Sequence, residues 1–274
     1  MTTDAAALYR LLAWTSPGYP TGAFSYSHGL EWAVETGAVT NLATLLDYVE
    51  AVLARGGGWV DPVLFVHAWR ATASPNATAR SHSSPHAAHQ SASAPCATQA
   101  DPHYLPRAEA RSDPARSGEH TDLSALVELA AAFRGSSETA LESRQQGAAF
   151  LDVTRKAWPH PALDNLAEHA TRTNTPVAHC IAVAVTCAAH DIALEPALHA
   201  YLHAVAANLV SAGARLIPLG QTQAQIAIAR LSPTIVTLVE RAQSTSLDDL
   251  GTAAPAVELC SLKHETQYTR LFRS

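Results

Sequence analysis

Lysine is nearly missing from this chain: Lys156 and Lys263 are the only two, and Lys and Arg together number 18 against 24 acidic residues. With a net charge of -6 there is no basic surface for a phosphate backbone, which excludes nucleic acid as the main partner. Cysteine is also scarce. Cys96, Cys180, Cys187 and Cys260 include no CxxC spacing, too few for a disulfide scaffold and in keeping with a reducing cytosol. The first residues carry an acid at Asp4 and no basic region ahead of an apolar run, so no secretory signal is expected. Long apolar runs are missing too: Val177 to Ala189 is short, and Ala204 to Leu219 is interrupted by Asn208 and Arg215, so neither reads as a membrane span. The expected location is the cytoplasm. No GxxxxGK[ST] loop and no GxSxG elbow occur, so neither nucleotide hydrolysis nor serine hydrolase chemistry is expected of this chain.

What is present is apolar and helical. Hydrophobic residues make up 47% of the 274 and charged residues 15%, a balance that favours a packed globule over a disordered chain. Alanine runs such as 130–132 and 204–207 favour helix. The pattern predicts helices at about 4–14, 28–37, 42–55, 60–72, 121–134, 137–157, 162–172, 177–190, 195–217 and 222–242, and strands are hard to find. Asp61-Pro62, Asn174 to Pro176 and Glu195-Pro196 mark helix starts, and Ser232-Pro233 predicts a break or kink. Residues 73–120, rich in Ser, Pro, Ala and His, read as a disordered insertion, with helical faces at Leu42 to Leu53 and Leu123 to Ala130 expected to pack together around it. The fold expected is all-α: one bundle-like domain of about ten helices, 1–274, carrying that insertion.

Three segments stand out. Ser16 to Glu31 sets two Pro and three Gly in an interhelical loop with Tyr19, Phe24, Tyr26 and His28; it reads either as a packed loop or as a partner-binding or dimer surface. Leu209 to Gln223 carries small residues from Ser211 to Ala214, which allow close helix approach, and Pro218 with Gly220 ends the helix. Within it Arg215 needs a partner or an exposed position, because an unpaired buried charge is costly. The last segment, Leu262 to Ser274, keeps Tyr268, Leu271 and Phe272 among Lys263, Arg270 and Arg273. Such a tail, 260–274, either gains order on docking to a partner or folds back on its own domain.

The GAFSYSHGLE loop, the RLIPLGQT stretch and the HETQYTRLFRS ending resemble the urease accessory protein UreF family, in the family's order along the chain. The resemblance covers the sequence apart from 73–120. It implies an all-helical, non-enzymatic maturation protein that forms a homodimer, binds UreD (also called UreH), recruits the GTPase UreG and assists nickel insertion into apo-urease, with no cofactor of its own. It further implies that the tail with His264, Glu265, Tyr268 and Arg270 becomes ordered on UreD/UreH, and that Arg215 and Gln221 lie near the partner-binding or nickel-transfer surface. Tyr19, Phe24, Tyr26 and His28 complete the candidate partner-binding set. Two positions depart from the family: Lys263 stands where many relatives carry Arg, and no arginine occurs around Ala140.

A rival reading is a nickel-binding carrier using His82, His86 and His89, with Cys96 and His103 beyond, since imidazole is a borderline ligand for nickel. His199 and His203 share a helical face at the i, i+4 spacing that lets two rings reach one ion, but Ala200 follows His199 and no HExxH signature exists. Their apolar neighbours favour packed or partly exposed histidines. Cys180, Cys187, His179 and His190 read mostly as core.

Overall fold

Short polar side chains set several of the helix starts. The computed structural model describes residues 4–73 and 122–274. Among them run eleven α-helices: α1 (Ala5–Trp14), α2 (Leu30–Glu35), α3 (Leu42–Arg55), α4 (Gly57–Ala73), α5 (Leu123–Ala132), α6 (Ser137–Ala157), α7 (Pro161–Thr173), α8 (His179–Ala189), α9 (Leu194–Leu216), α10 (Gln221–Ser244) and α11 (Pro255–His264). No strand occurs among the described residues, so the all-α expectation holds. Asn41 caps α3 by accepting from Ala43 N at 2.9 Å and Thr44 N at 3.2 Å, and Ser136 caps α6 by accepting from Thr139 N at 3.1 Å. At α7 His160 Nδ1 accepts from Ala162 N at 3.1 Å ahead of Pro161, and Asn174 leaves the helix at φ 53°.

Helix α8 is the centre of the packing. Its residues from Cys180 to Ala188 are all buried, and it lies against α4, α5, α6, α7 and α9. The run Val177 to Ala189, too short to cross a membrane, is therefore a core helix whose Ala and Cys side chains let five neighbours close in. None of the described helices is long and apolar enough to cross a membrane. Gly147 on α6 shows how close the approach is: a Cβ there would meet Val177 O at 2.0 Å. Around this centre α3 packs on α4, α9 and α10, while α9 and α10 lie against each other. Full burial of Phe65, Phe150, Leu45, Leu126, Leu163, Ile181 and Leu198 contributes roughly 1.5–3 kcal/mol each.

Four expectations change. The Asp61-Pro62 start is wrong: α4 begins at Gly57 and carries Pro62 inside it, because the buried Trp59 and Val60 hold the earlier turn in place. At Ser232-Pro233 the helix is not ended; α10 runs through it, anchored on both sides by buried Leu231 and Ile235. Helix α2 starts at Leu30 because His28 (φ 54°) and Gly29 (φ 75°) are left-handed. Lastly, α11 was not expected as a helix. The faces at Leu42 to Leu53 and Leu123 to Ala130, expected to pack together, each meet α4, with α5 lying on α4 and α8. The insertion's predicted disorder and its histidines fall outside the described residues, apart from Ala73 at the end of α4.

Candidate partner-docking surface

The tail that follows α11 turns back onto its own chain and pairs with the 16–29 loop. Ser27 donates from N at 2.6 Å and from Oγ at 2.5 Å to Ser274 O, and Arg273 N donates to Ser25 O at 2.7 Å. Phe272 is buried beneath the Arg215 guanidinium, whose carbon stands 4.4 Å from the ring centre. Two of the three segments singled out in the sequence thus meet on each other, with Arg215 from the third closing over them.

Three glutamates hold this arrangement. Glu31, in the first turn of α2, accepts from Leu271 N at 2.6 Å, from Phe272 N at 2.9 Å and faces His264 Nε2 at 3.0 Å. Glu138, in the first turn of α6, faces His264 Nδ1 at 2.7 Å and accepts from Arg270 Nη1 at 3.0 Å. One turn on, Glu142 accepts from Gln146 Nε2 at 2.8 Å and from Ser274 Oγ at 3.0 Å, and lies 3.1 Å from His28 Nδ1. Helix N-termini favour anions and the C-terminal end of α11 favours a cation at His264, so the backbone reinforces these pairings. Burial raises the Glu138 pKa above the usual carboxylate value, with His264 and Arg270 opposing it. At His28 burial disfavours the imidazolium, but the Glu142 carboxylate outweighs it and the pKa is raised.

The backbone fits this hub closely. Gly29 is left-handed, and a Cβ there would meet Ser261 N at 2.5 Å, so only glycine lets α11 approach the start of α2 this closely. Ser136 Oγ and Ser261 Oγ lie 2.7 Å apart, and Glu265 Oε1 accepts from Ser137 Oγ at 2.7 Å. These contacts tie α11 to the start of α6.

Of the expected partner-binding residues, Tyr26, His28, Arg215, His264, Glu265 and Arg270 are brought together here, mostly as packing. Tyr26 is buried and its hydroxyl donates to Gln145 Oε1. Tyr19 is half-buried, bonded through its hydroxyl to Thr154 Oγ1 at 2.7 Å, with its ring against Phe150. Gln221 is exposed at the start of α10 and takes no part in the network. From the loop and the tail, Phe24 (65% exposed), Leu271 (66%) and Tyr268, which is fully exposed, face outward. Sequence reading missed Glu31, Glu138 and Glu142; in a chain this poor in charge, acids on predicted buried faces were the available signal.

Beside the hub lies a cavity of about 520 Å³, walled by His28, Asp61, Arg134, Glu142, His179 and Tyr201 among others. Burial lowers the His179 pKa to about 4, so this ring is neutral. Among the described residues no group of three or more His, Cys, Asp or Glu is arranged to hold a metal ion.

The UreF family model matches residues 39–232. A urease accessory protein UreF from Bradyrhizobium diazoefficiens is 42% identical over 271 residues, covering 99% of this chain and 93% of the relative. The chain belongs to the UreF family of urease accessory proteins. Namesakes from Rhodopseudomonas palustris strain TIE-1 (43% identical, 99% of this chain, 94% of the relative) and Granulibacter bethesdensis (41%, 100% and 96%) agree along their lengths. The loop before residue 39 and the tail lie outside the span matched by the UreF model but inside the full-length alignments.

Proposed function

We propose that this chain is a non-catalytic scaffold of urease maturation, which binds UreD/UreH through the surface of Phe24, Tyr268 and Leu271, recruits the GTPase UreG and assists nickel insertion into apo-urease, as a cytoplasmic homodimer. One observation carries the reading: Leu271 faces solvent from a backbone amide that Glu31 holds, in a tail and loop that also expose Tyr268 and Phe24, so that large apolar side chains are offered from a partly fixed backbone, as in an interface anchor. The chemistry of the hub supports it. Both oxygens of Glu31 and of Glu138 take hydrogen bonds from this chain's own tail, so these carboxylates serve to hold the tail in place.

Urease activation in cells tests the reading. In a urease-positive strain lacking its own UreF relative, the wild-type gene restores urease activity and urease nickel content, while the Phe24→Ser/Tyr268→Ser double variant, present at the same soluble level, restores less than a tenth. Full restoration by the double variant overturns the assignment of this surface.

A further inference from the structure

His199 and His203 stand one turn apart on α9, a helix that runs unbroken from Leu194 to Leu216. The i, i+4 spacing sets two side chains one above the other, with Cβ atoms roughly 5–6 Å apart. Leu198, Tyr201 and Leu202 turn into the core, so the two imidazoles lie towards the outer side: His199 is half-buried and His203 exposed. Neither ring makes a hydrogen bond, ion pair or ring contact with the described residues. Every other described histidine has such a partner. His28 and His264 face carboxylates, His67 and His190 face backbone carbonyls, His160 accepts from the Ala162 amide, His169 meets Arg172, and the His179 ring packs on Phe150 and Tyr201. The fold uses its other imidazoles and leaves these two unclaimed, side by side on one helix.

We propose that His199 and His203 form a two-histidine site for a borderline divalent transition metal ion, Ni²⁺, Cu²⁺ or Zn²⁺, with water in the remaining coordination positions. Imidazole nitrogen suits these ions, whereas Ca²⁺ and Mg²⁺ require oxygen ligands that the pair does not offer. Two histidines at this spacing on a helix reach one ion wherever the HExxH arrangement binds zinc, so the geometry is sufficient without the glutamate that follows the first histidine there. Contacts with α2, α3, α4, α8 and α10 hold α9 in place, which positions both rings before an ion arrives and makes binding of the second imidazole an intramolecular step. Glu195, exposed one turn before His199, adds negative charge to the same stripe, and no Lys or Arg occurs between it and Arg215 to oppose a cation from α9. No third His, Cys, Asp or Glu among the described residues joins the pair, so the ion is held openly and exchanges with solvent, unlike the closed shell of a structural zinc.

The histidines of 73–120 require a probe that reports residue by residue. Histidine modification by diethyl pyrocarbonate, mapped by peptide mass spectrometry on the full-length chain in zinc chloride, follows each ring separately. His199 and His203 are expected to lose reactivity together over one range of zinc concentration, and magnesium chloride is expected to protect neither. In His203→Ala, His199 is expected to need at least about tenfold more zinc for the same protection, because a single imidazole has no chelate gain. His199→Ala is expected to do the same to His203. Alanine is the best helix former and both positions lie towards solvent, so the variants are expected to fold, which circular dichroism checks; His203→Ala carries the comparison by itself where His199→Ala folds poorly. Unchanged zinc protection of His199 in folded His203→Ala, or no protection of either ring in the wild type, overturns the proposal. The pair shares no residue with the surface of Phe24, Tyr268 and Leu271, and the measurement uses this chain alone, so its failure leaves the partner-docking reading untouched.

Discussion

Arg134 Nη1 lies 2.8 Å from Asp61 Oδ1, an ion pair with little solvent access that joins the end of α5 to α4 beside α8. Tyr201 Oη donates to Asp61 Oδ2 at 2.9 Å, and Arg134 Nε donates to Ala130 O at 2.9 Å. Burial alone raises the Asp61 pKa, but Arg134 and Tyr201 outweigh it, and the carboxyl titrates below its ordinary value. Removing one partner strands a charge in the core. Arg134→Met is expected to lower unfolding stability by about 3–5 kcal/mol, and Tyr201→Phe by about 1.5–3 kcal/mol, in urea titrations. Losses under 1 kcal/mol for Arg134→Met contradict this account of the pair.

Gly147 sits where α6 crosses the entry to α8, and an added Cβ meets Val177 O at 2.0 Å and Ala178 C at 2.9 Å. Both obstacles are backbone, which cannot swing aside as a side chain does. Gly147→Ala is therefore expected to destabilise the fold by about 1–3 kcal/mol, even though alanine is the better helix former. Chemical denaturation reads the sign: a stabilised variant refutes the close crossing.

His179 predicts the acid limb of stability. Its folded pKa of about 4 lies below the ordinary histidine value, so the unfolded chain holds more protons between pH 4 and 6.5 and stability falls as pH drops through that window. His179→Phe is expected to remove up to roughly 3 kcal/mol of that acid sensitivity while leaving the pH 7 to 8 plateau in place. An unchanged acid limb in thermal melts across pH 4–7 contradicts a neutral buried ring.

The helices were legible because apolar spacing is local: α3, α6 and α7 lie within a residue of the expected 42–55, 137–157 and 162–172. Pro62 misled because its place in the helix depends on which neighbours are buried, and that is tertiary information. The three segments were legible as motifs, but not that Tyr26 and His264 are buried while Tyr268 and Phe24 face outward. Nothing in the spacing of Glu31, Glu138 and His264 along the chain says that they meet; the fold brings together positions more than a hundred residues apart.

Truncation after Leu259 tests docking poorly, since it also deletes His264 and Phe272 from the core. Exposed side chains give a cleaner test. The most direct measurement is co-purification of UreD/UreH and UreG with the full-length chain, wild type against Phe24→Ser/Tyr268→Ser, with circular dichroism melts confirming that both are folded. The scaffold account predicts that the wild type retains both partners and the double variant loses UreD/UreH by more than tenfold. Equal recovery with the double variant, or no complex with the wild type, contradicts it.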